Sequence, residues 1–170
     1  IDCSDTKNWN NGSGFIALGN TSLEFTGNFD GKGYKITGLF INRSSTDSIG
    51  LFGYAGYSGC VSGSTCGTIR NVTLKDVNIR GNSYTGALIG TGYVPILDIN
   101  VSGNITGATY TGGIVGMQNS RDINRSVTSG NVNSSASNTG GIVGYTSHVS
   151  IYNPSSSSNI YGSSTTVGGL

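Results

Sequence analysis

An internal repeat of about 27 residues constrains this chain more than any other feature. Thr-Gly-Gly-Ile-Val-Gly at 111–116 recurs unchanged at 139–144, with Thr-Gly-Ala-Leu-Ile-Gly at 85–90 before it and Val-Gly-Gly-Leu at 167–170 after it. An isoleucine also recurs, at separations of 33, 27, 27 and 28 residues: Ile36, Ile69, Ile96, Ile123 and Ile151. A period of this size is typical of stacked repeat proteins, in which each repeat contacts only its neighbours.

Within each unit the apolar residues are spaced as in strands rather than helices. With the leading isoleucine as position zero, they fall at +3, +5 and +9 or +10, as Val72, Leu74 and Ile79 do after Ile69. Steps of three and then two indicate a bend followed by strand alternation, whereas a helix needs repeated steps of three and four. The sequence therefore predicts an all-β fold, a parallel β-helix or solenoid of about five coils of about 27 residues.

The N-terminal part of the chain lacks this regularity. Residues 1–35 read as short strands broken by Gly and Asn turns, with a tight turn at 30–33. We expect them to cap the first coil, because the end of a stacked core needs a cover. Residues 36–170 then form one continuous solenoid domain. Between Gly53 and Ile69 lie about ten residues more than in later units, which predicts a loop at one corner.

Composition and charge exclude some classes of partner. Only 10% of residues are charged and the formal net charge is +1, so no basic field exists to hold a phosphate backbone and nucleic acid is excluded. No run of 18 apolar residues occurs, so the sequence predicts no membrane-spanning helix. The chain opens at Ile1 without Met or a signal-like segment, as a processed or excised piece would.

Three cysteines bear on the redox environment of the chain. Cys60 and Cys66 lie in a Gly/Ser-rich segment that can turn back on itself, which predicts a disulfide that clamps the long loop. Reduced thiols are the alternative, and a zinc site lacks the four ligands that it needs. Cys3 is left over, either buried as a small apolar residue or linked to another chain.

Eight Asn-x-Ser/Thr triplets are present, as in a secreted glycoprotein. Such triplets also arise by chance in a chain rich in Asn, Ser and Thr, so each is a candidate glycosylation site rather than an assigned one. The candidates are Asn11, Asn20, Asn42, Asn71, Asn100, Asn104, Asn124 and Asn133.

A row of hydroxyl and tyrosine side chains precedes the paired glycines when the units are aligned. It contains residues 83–85, 109–111, 137–139 and 165–167. One interpretation is a hydroxyl ladder that closes a corner of the coil, which the glycine directly after the row favours because it implies a bend. The other is a flat ligand- or ice-binding face, where exposed tyrosines would suit carbohydrate. The candidate face consists of Tyr84, Thr85, Tyr110, Thr111 and Thr139.

The acidic residues do not predict catalysis. Asp98 and Arg125 share position +2 of adjacent units, with Asn71 and Asn153 on either side, which predicts a polar surface ladder with one exposed ion pair. Glycoside cleavage needs two placed carboxylates, and no second carboxylate falls in that row. His148 is the only histidine and is predicted to be a solvent-facing turn residue. We predict no metal site and no cofactor.

Several segments resemble proteins with GLUG repeats, whose motif has a Gly-Leu-x-Gly core. Phe-Thr-Gly-Asn-Phe-Asp-Gly-Lys-Gly-Tyr-Lys-Ile-Thr-Gly-Leu at 25–39, Gly-Leu-Phe-Gly at 50–53 and the Gly-Gly-Ile-Val-Gly copies occur in order and cover nearly the whole chain. The resemblance implies a right-handed β-helix in a large surface or secreted protein, with an accessory, structural or adhesive role and no catalytic residues. Some such proteins are metallopeptidases, but a His-Glu-x-x-His zinc site needs two histidines.

These observations predict an extracellular structural or adhesive segment of a cell-surface protein or filament, without catalysis. A carbohydrate-binding or carbohydrate-active β-helix and a ligand- or ice-binding face are the alternatives. The expected partner is the protein itself, through end-to-end stacking or the rest of a longer repeat protein, and surface glycans are a further candidate. The repeat stops in mid-strand at 167–170, which predicts an open edge that pairs with another strand.

Overall fold

The computed structural model describes residues 1–59, 66–163 and 166–169, and most of the fold is β-strand. Two 3-10 helices, Ser4–Asn8 and Asn10–Gly12, precede the strands, and this described part contains no α-helix. The strands are β1 (Phe29–Asp30), β2 (Lys35–Thr37), β3 (Phe40–Asn42), β4 (Phe52–Ala55), β5 (Ile69–Arg80), β6 (Ile89–Gly92), β7 (Ile96–Gly112), β8 (Val115–Asn119), β9 (Ile123–Asn124), β10 (Val127–Gly140), β11 (Val143–Ser147), β12 (Ile151–Tyr152), β13 (Ser155–Gly162) and β14 (Val167–Gly168).

The strands form two parallel sheets that coil around a common core. The larger sheet runs in the order β1, β5, β7, β10, β13, with β2 and β3 also on β5, and the smaller sheet runs β11, β8, β6, β4. Each strand pairs with the strand one turn further along the chain, so the fold is a β-solenoid of about four turns. Strands β12, β13 and β14 begin a further turn. The predicted parallel solenoid is confirmed.

A column of stacked isoleucines fixes the register of the later turns. Ile69 pairs with Ile96, Ile96 with Ile123, and Ile123 with Ile151, as the repeat predicts. The first three side chains are completely buried, and Ile151 is partly buried beside them. In a strand a slip of one residue would turn every side chain to the opposite face, so this column specifies the register strongly.

The register of the first turn differs from the sequence prediction. Ile36 pairs with Leu74, and Phe29 occupies the place beside Ile69 that the repeat assigned to Ile36. The cause is the tight turn after β1, where Lys32 has a φ of 49°. This turn adds residues between β1 and β2 and moves the isoleucine along the coil.

Residues before β1 cover the first turn through single bridges and 3-10 helices instead of the predicted short strands. Asp2 bridges Thr37, and a 3-10 helix then starts at Ser4. Asp2 Oδ1 accepts a hydrogen bond from Ser4 N at 2.9 Å, one of the local side-chain bonds that compete with strand pairing. The proposed boundary between residues 1–35 and 36–170 stays a prediction.

The interior changes from apolar to polar along the solenoid axis. Leu74 and Val101 are buried in one column, and Thr128 and Ser156 continue the same column in the next two turns. Thr128 Oγ1 donates a hydrogen bond to Gly141 O at 2.7 Å and so remains satisfied inside the coil. The later turns therefore bury less apolar surface than the earlier ones.

Candidate functional site

One corner of the solenoid carries the row that the sequence singles out. Ser48, Tyr84, Tyr110 and Asn138 stack there in successive turns, and their φ angles of 55°, 57°, 53° and 53° are all left-handed. Asn tolerates this conformation well, but Tyr rarely adopts it. The shared backbone geometry directs all four side chains the same way out of the corner. We call this set the corner column.

The threonines that follow the corner column point inward. Thr85 and Thr111 are 0% exposed and Thr139 is 3% exposed, so they do not belong to the predicted ligand face. The left-handed residue before each threonine turns the chain, and the tyrosine and threonine therefore point in different directions. Thr85 Oγ1 donates to Asn82 O at 3.0 Å. These three residues form a buried hydroxyl ladder, as the first interpretation of the row predicts.

Five tyrosines form two groups of contacting rings, one of which contains Tyr84 and Tyr110 of the corner column. The rings of Tyr84 and Tyr110 stack with centroids 5.3 Å apart and planes 4° apart, and Tyr145 meets Tyr110 edge-on at 5.2 Å. Tyr54 and Tyr93 stack at 6.2 Å. The alignment of the repeats identifies Tyr84 and Tyr110 from the sequence. Tyr54 and Tyr145 lie in the smaller sheet, and the repeat pattern does not identify them. Tyr84 and Tyr110 are half-buried, and their role as ligand-binding residues stays a prediction.

One of these tyrosines, Tyr54, has a raised pKa. Burial raises the pKa of the Tyr54 phenol, and the neighbouring Tyr93, through its charge and a hydrogen bond, raises it further. Glu24 also lies close enough to act in the same direction. Because a phenol ordinarily titrates near pH 10, Tyr54 stays protonated at physiological pH and can donate a hydrogen bond.

The glycines of the repeated motif let the corner column lie against the smaller sheet. A Cβ on Gly90 would overlap the backbone of Ser48, and one on Gly116 would overlap the backbone of Tyr84. Gly144 has the same relation to Tyr110. This close approach of two backbones is the structural reason for glycine at the end of the motif.

The predicted polar ladder is confirmed at a second corner. Arg125 Nε and Nη2 donate to the two carboxylate oxygens of Asp98 at 2.6 and 2.8 Å. The Arg125 hydrogen bond is the main reason that the pKa of Asp98 lies below its usual range. One turn earlier, Asn71 Nδ2 donates to Asp30 Oδ1 at 2.9 Å and lowers the pKa of that carboxyl too. Both pairs are solvent-accessible and stabilise the fold only weakly.

A cavity of about 360 Å³ lies where residues 16–21 cover the start of the corner column. Its lining includes the exposed Ile16, Arg43, Asp47 and small hydroxyl residues, whereas Ile49, which also borders it, is only 2% exposed. Sequence reasoning missed this cavity, because it forms between the irregular N-terminal segment and the first turn, and neither part belongs to the aligned repeat.

The candidate glycosylation sites differ in accessibility. Five are exposed: Asn11, Asn20, Asn42, Asn100 and Asn104. Asn71, Asn124 and Asn133 are half-buried. Asn104 is also tied into a ladder, since its Oδ1 accepts a hydrogen bond from Asn131 Nδ2 at 2.7 Å. Glycan occupancy stays a prediction at all eight sites.

The predicted disulfide is only half within the described residues. Cys66 is 2% exposed, and Cys60 lies outside the described residues, so the bridge between them stays a prediction. Cys3 is a free, partly buried cysteine that packs against the core. His148 is exposed, and its Nδ1 lies 2.9 Å from Ser147 Oγ.

Two kinds of feature are absent from the described residues. Over 1–59, 66–163 and 166–169, no group of three or more His, Cys, Asp or Glu is placed to hold a metal ion. Within the same ranges, no helix has the length and apolar character needed to cross a bilayer.

Two known proteins are similar to this chain. It is 36% identical over 121 residues to halomucin of Haloquadratum walsbyi, a match that covers 68% of this chain and 1% of halomucin. It is 37% identical over 93 residues to an Evansella cellulosilytica protein named as a Gly-rich membrane protein, which covers 53% of this chain and 10% of that protein. The chain thus spans a small fraction of each relative. No protein-family model and no solved structure matches it.

Proposed function

We propose that this chain is a structural β-solenoid segment of a larger cell-surface or secreted protein. The observation that carries the proposal is the stacking of turn upon turn in one register, from the Ile69 turn to the Ile151 turn. A coil of this kind lengthens by the addition of further turns and presents a continuous outer surface. Its similarity to short stretches of much longer proteins supports the same role.

The names of the two relatives support an extracellular or surface location. One is named halomucin and the other is named as a Gly-rich membrane protein. The GLUG-type motifs, which rest on sequence resemblance alone, support the same location and an adhesive role. The low charge of the chain and its hydroxyl- and amide-rich outer strands suit a surface that faces solvent and glycans.

The role that we propose involves no catalysis. A general acid in glycoside cleavage needs a carboxyl group with a raised pKa. Hydrogen bonds to Ser4, Asn71 and Arg125 lower the pKa values of Asp2, Asp30 and Asp98. These three carboxylates are therefore charged at neutral pH and are unsuited to donate a proton to a leaving group.

We further propose that the solenoid stacks end to end, within a longer polypeptide or between molecules. Strand β11 is paired only with β8 among the described strands, and β13 only with β10. The free edges of these two strands offer N–H and C=O groups to another parallel strand. Such a contact does not close on itself and extends the rod.

Surface labelling tests the proposed location. An antibody raised against the folded chain should label intact cells of the producing organism as strongly as permeabilised cells. Labelling that requires permeabilisation would contradict a surface role.

Electron microscopy and light scattering of the native material test the proposed stacking. We expect rods or filaments longer than the described turns. Compact monomers of 17.4 kDa that persist at high concentration would contradict it.

A further inference from the structure

A ladder of asparagine side chains runs along the outer face of the larger sheet and stops at its last strand. Asn131 Nδ2 donates to Asn104 Oδ1 at 2.7 Å, and Asn159 Nδ2 donates to Asn131 Oδ1 at 3.2 Å. The three residues lie side by side in β7, β10 and β13, so each amide donates toward the preceding turn. Asn159 is exposed at the open edge of β13, and none of the described residues donates to its Oδ1. The last amide of the ladder therefore offers an acceptor to a following turn.

The inner face of β13 also has columns that a further strand would continue. Ile105, Val132 and Ile160 stack in successive turns. The first two are each 1% exposed, whereas Ile160, on the last strand, is only half-buried. In a neighbouring column Thr128 Oγ1 donates to Ser156 Oγ at 3.0 Å. A strand with an apolar residue beside Ile160 and a hydroxyl beside Ser156 would extend both columns and bury more apolar surface.

The open edge lacks the features that prevent strands from pairing. Proteins commonly protect an exposed strand edge with charged side chains, especially lysine, or with proline. Strand β13 contains neither. All of the Asp, Glu, Lys and Arg residues of the chain occur at or before Arg125, so residues 126–170 contain none. An uncharged edge of this kind favours the addition of another strand.

The opposite end of the solenoid is covered by the chain itself. Asp2, Gly14 and Leu18 bridge β2, β3 and β4. The cover consists of 3-10 helices and single bridges rather than a long strand. In the column of the asparagine ladder, Asn78 precedes the ladder, and Phe40 stands in the first turn. This end therefore presents no amide at the ladder position, and the cover of a second copy does not match the open end.

We propose that the open end binds, in parallel, a β-strand of another repeat molecule that has an asparagine at the ladder position. The side-chain amide of that strand donates to Asn159 Oδ1, its adjacent apolar residue packs on Ile160, and its backbone pairs with β13. In strand addition, backbone hydrogen bonds supply affinity and alternate side chains supply specificity, and amide ladders stabilise stacked strands. The inference rests on the end-to-end stacking proposed above and adds the chemistry that selects the strand.

A peptide with the sequence of β10 tests whether the open end binds a strand. Residues 127–140 carry Asn131 and Val132 in the same spacing as Asn159 and Ile160. The peptide is titrated into the full ¹⁵N-labelled chain, with a scrambled peptide as the control. We expect saturable shifts of the β13 amide signals, while those of β5 stay unchanged. Unmoved β13 signals, or an equal response to the scrambled peptide, would overturn the proposal.

Substitutions within the peptide test the selection of an amide. Asn131→Asp keeps the shape of the side chain but removes the N–H donor, so binding should weaken about tenfold or more. Ser129→Ala is the matched control on the same face of the strand. Its neighbour in β13, Ser157, donates to Thr128 O rather than to Ser129, so this peptide should bind within about twofold of the original. Equal affinity of the original and Asn131→Asp peptides would overturn the selection.

A substitution in the chain locates the acceptor. Asn159 is exposed, and Asn159→Ala removes the acceptor without opening the core. In this variant the original and Asn131→Asp peptides should bind with the same affinity, because nothing remains to distinguish them. A preference for the original peptide that persists at full size would place the recognition of the amide elsewhere and overturn the assignment.

A peptide from the N-terminal cover separates the proposed strand from a second copy of the chain. Residues 1–18, with Cys3→Ser to prevent oxidation, should bind at least about tenfold more weakly than the β10 peptide. Equal affinity would assign the open end to the cover of a second copy and overturn the proposal. Rods in the native material together with no preference for the amide would refute this inference and leave the proposed stacking in place.

Discussion

The glycine at the end of each repeated motif controls how closely the corner column approaches the smaller sheet. Gly116 lies against the backbone of Tyr84, where a Cβ would overlap a carbonyl carbon. Gly116→Ala should therefore destabilise the fold by about 1–3 kcal/mol, measured by urea denaturation. Gly169→Ala is the control, because a Cβ there meets no described atom within 4 Å. Equal stability of the two variants would show that the close approach has no energetic weight.

The ion pair at the second corner gives a residue-scale prediction about pH. Because Arg125 lowers the pKa of Asp98, the charged pair favours the folded state above the unfolded pKa of about 3.9. That contribution is lost as pH falls through the lower, folded-state pKa. Arg125→Asn keeps a residue suited to the left-handed backbone and should raise the pKa of Asp98 toward its ordinary value.

Carboxyl ¹³C NMR titration measures this change directly. Arg80→Gln serves as the control, since Arg80 is exposed on β5 and is not part of the Asp98 pair. An Asp98 pKa that is the same in wild type and Arg125→Asn would mean that the pair does not form in solution.

The threonine row shows where single-residue reasoning from the sequence stops. Simple alternation places neighbours such as Tyr84 and Thr85 on opposite faces, but only in an extended strand. Here the residue before each threonine has a left-handed backbone conformation, and this conformation determines where its own side chain and that of the threonine point. Asn138 favours this left-handed conformation. The tyrosines at the equivalent positions of the other turns do not, because aromatic residues rarely adopt positive φ, so the conformation could not be predicted from the sequence.

At the scale of the element, the buried threonine ladder predicts opposite effects of one substitution. Thr111 Oγ1 has no hydrogen-bond partner among the described residues, whereas Thr85 Oγ1 bonds to Asn82 O. Thr111→Val should stabilise the fold by about 1 kcal/mol, since it removes a buried unsatisfied hydroxyl. Thr85→Val should destabilise it by a similar amount. Thermal unfolding of both variants checks the signs, and a loss of stability in Thr111→Val would reveal a partner for that hydroxyl.

The isoleucine column predicts a severe effect from one buried charge. Ile96 is completely buried in β7, so Ile96→Asp should unfold the solenoid, because the carboxylate would lack water and any partner. Val127 in β10 is 40% exposed on the outer face, and Val127→Asp is the matched control. Circular dichroism melting should show the native transition in the control alone. An unchanged melting temperature in Ile96→Asp would refute the register.

Element register could be predicted from the sequence only where the repeat is uninterrupted. From Ile69 onward the turns differ in length by at most one residue, and the apolar spacing placed Val72 beside Ile99 as the structure has them. The first turn contains the inserted tight turn, so the periodic count assigned Ile36 to the wrong column. The cavity could not be predicted for a related reason. It lies between the first turn and the N-terminal segment, and that segment has no periodicity.

At the scale of the whole molecule, stability should fall along the axis. Strand β7 is buried between β5 and β10, while the interior positions Ser156 and Ser158 of β13 are polar and half-buried. Hydrogen exchange in the isolated chain should therefore be faster for residues 155–162 than for 96–112, because local opening of β13 exposes little apolar surface.

Peptide-resolved mass spectrometry measures the two rates in one experiment. Strand β5, which is also flanked on both sides, provides the reference for slow exchange. Exchange in β13 as slow as in β5 would mean that another strand covers its edge, which would itself support end-to-end stacking.

The hydrogen bonds between turns run along the axis, and this orientation has a mechanical consequence. A rod held by its two ends carries tension across these bonds, and the least buried turn separates first. Each 27-residue turn, such as that from Ile69 to Ile96, then releases roughly 90 Å of extended chain. Under shear, a segment built in this way lengthens by one turn at a time and dissipates the load before any covalent bond is strained.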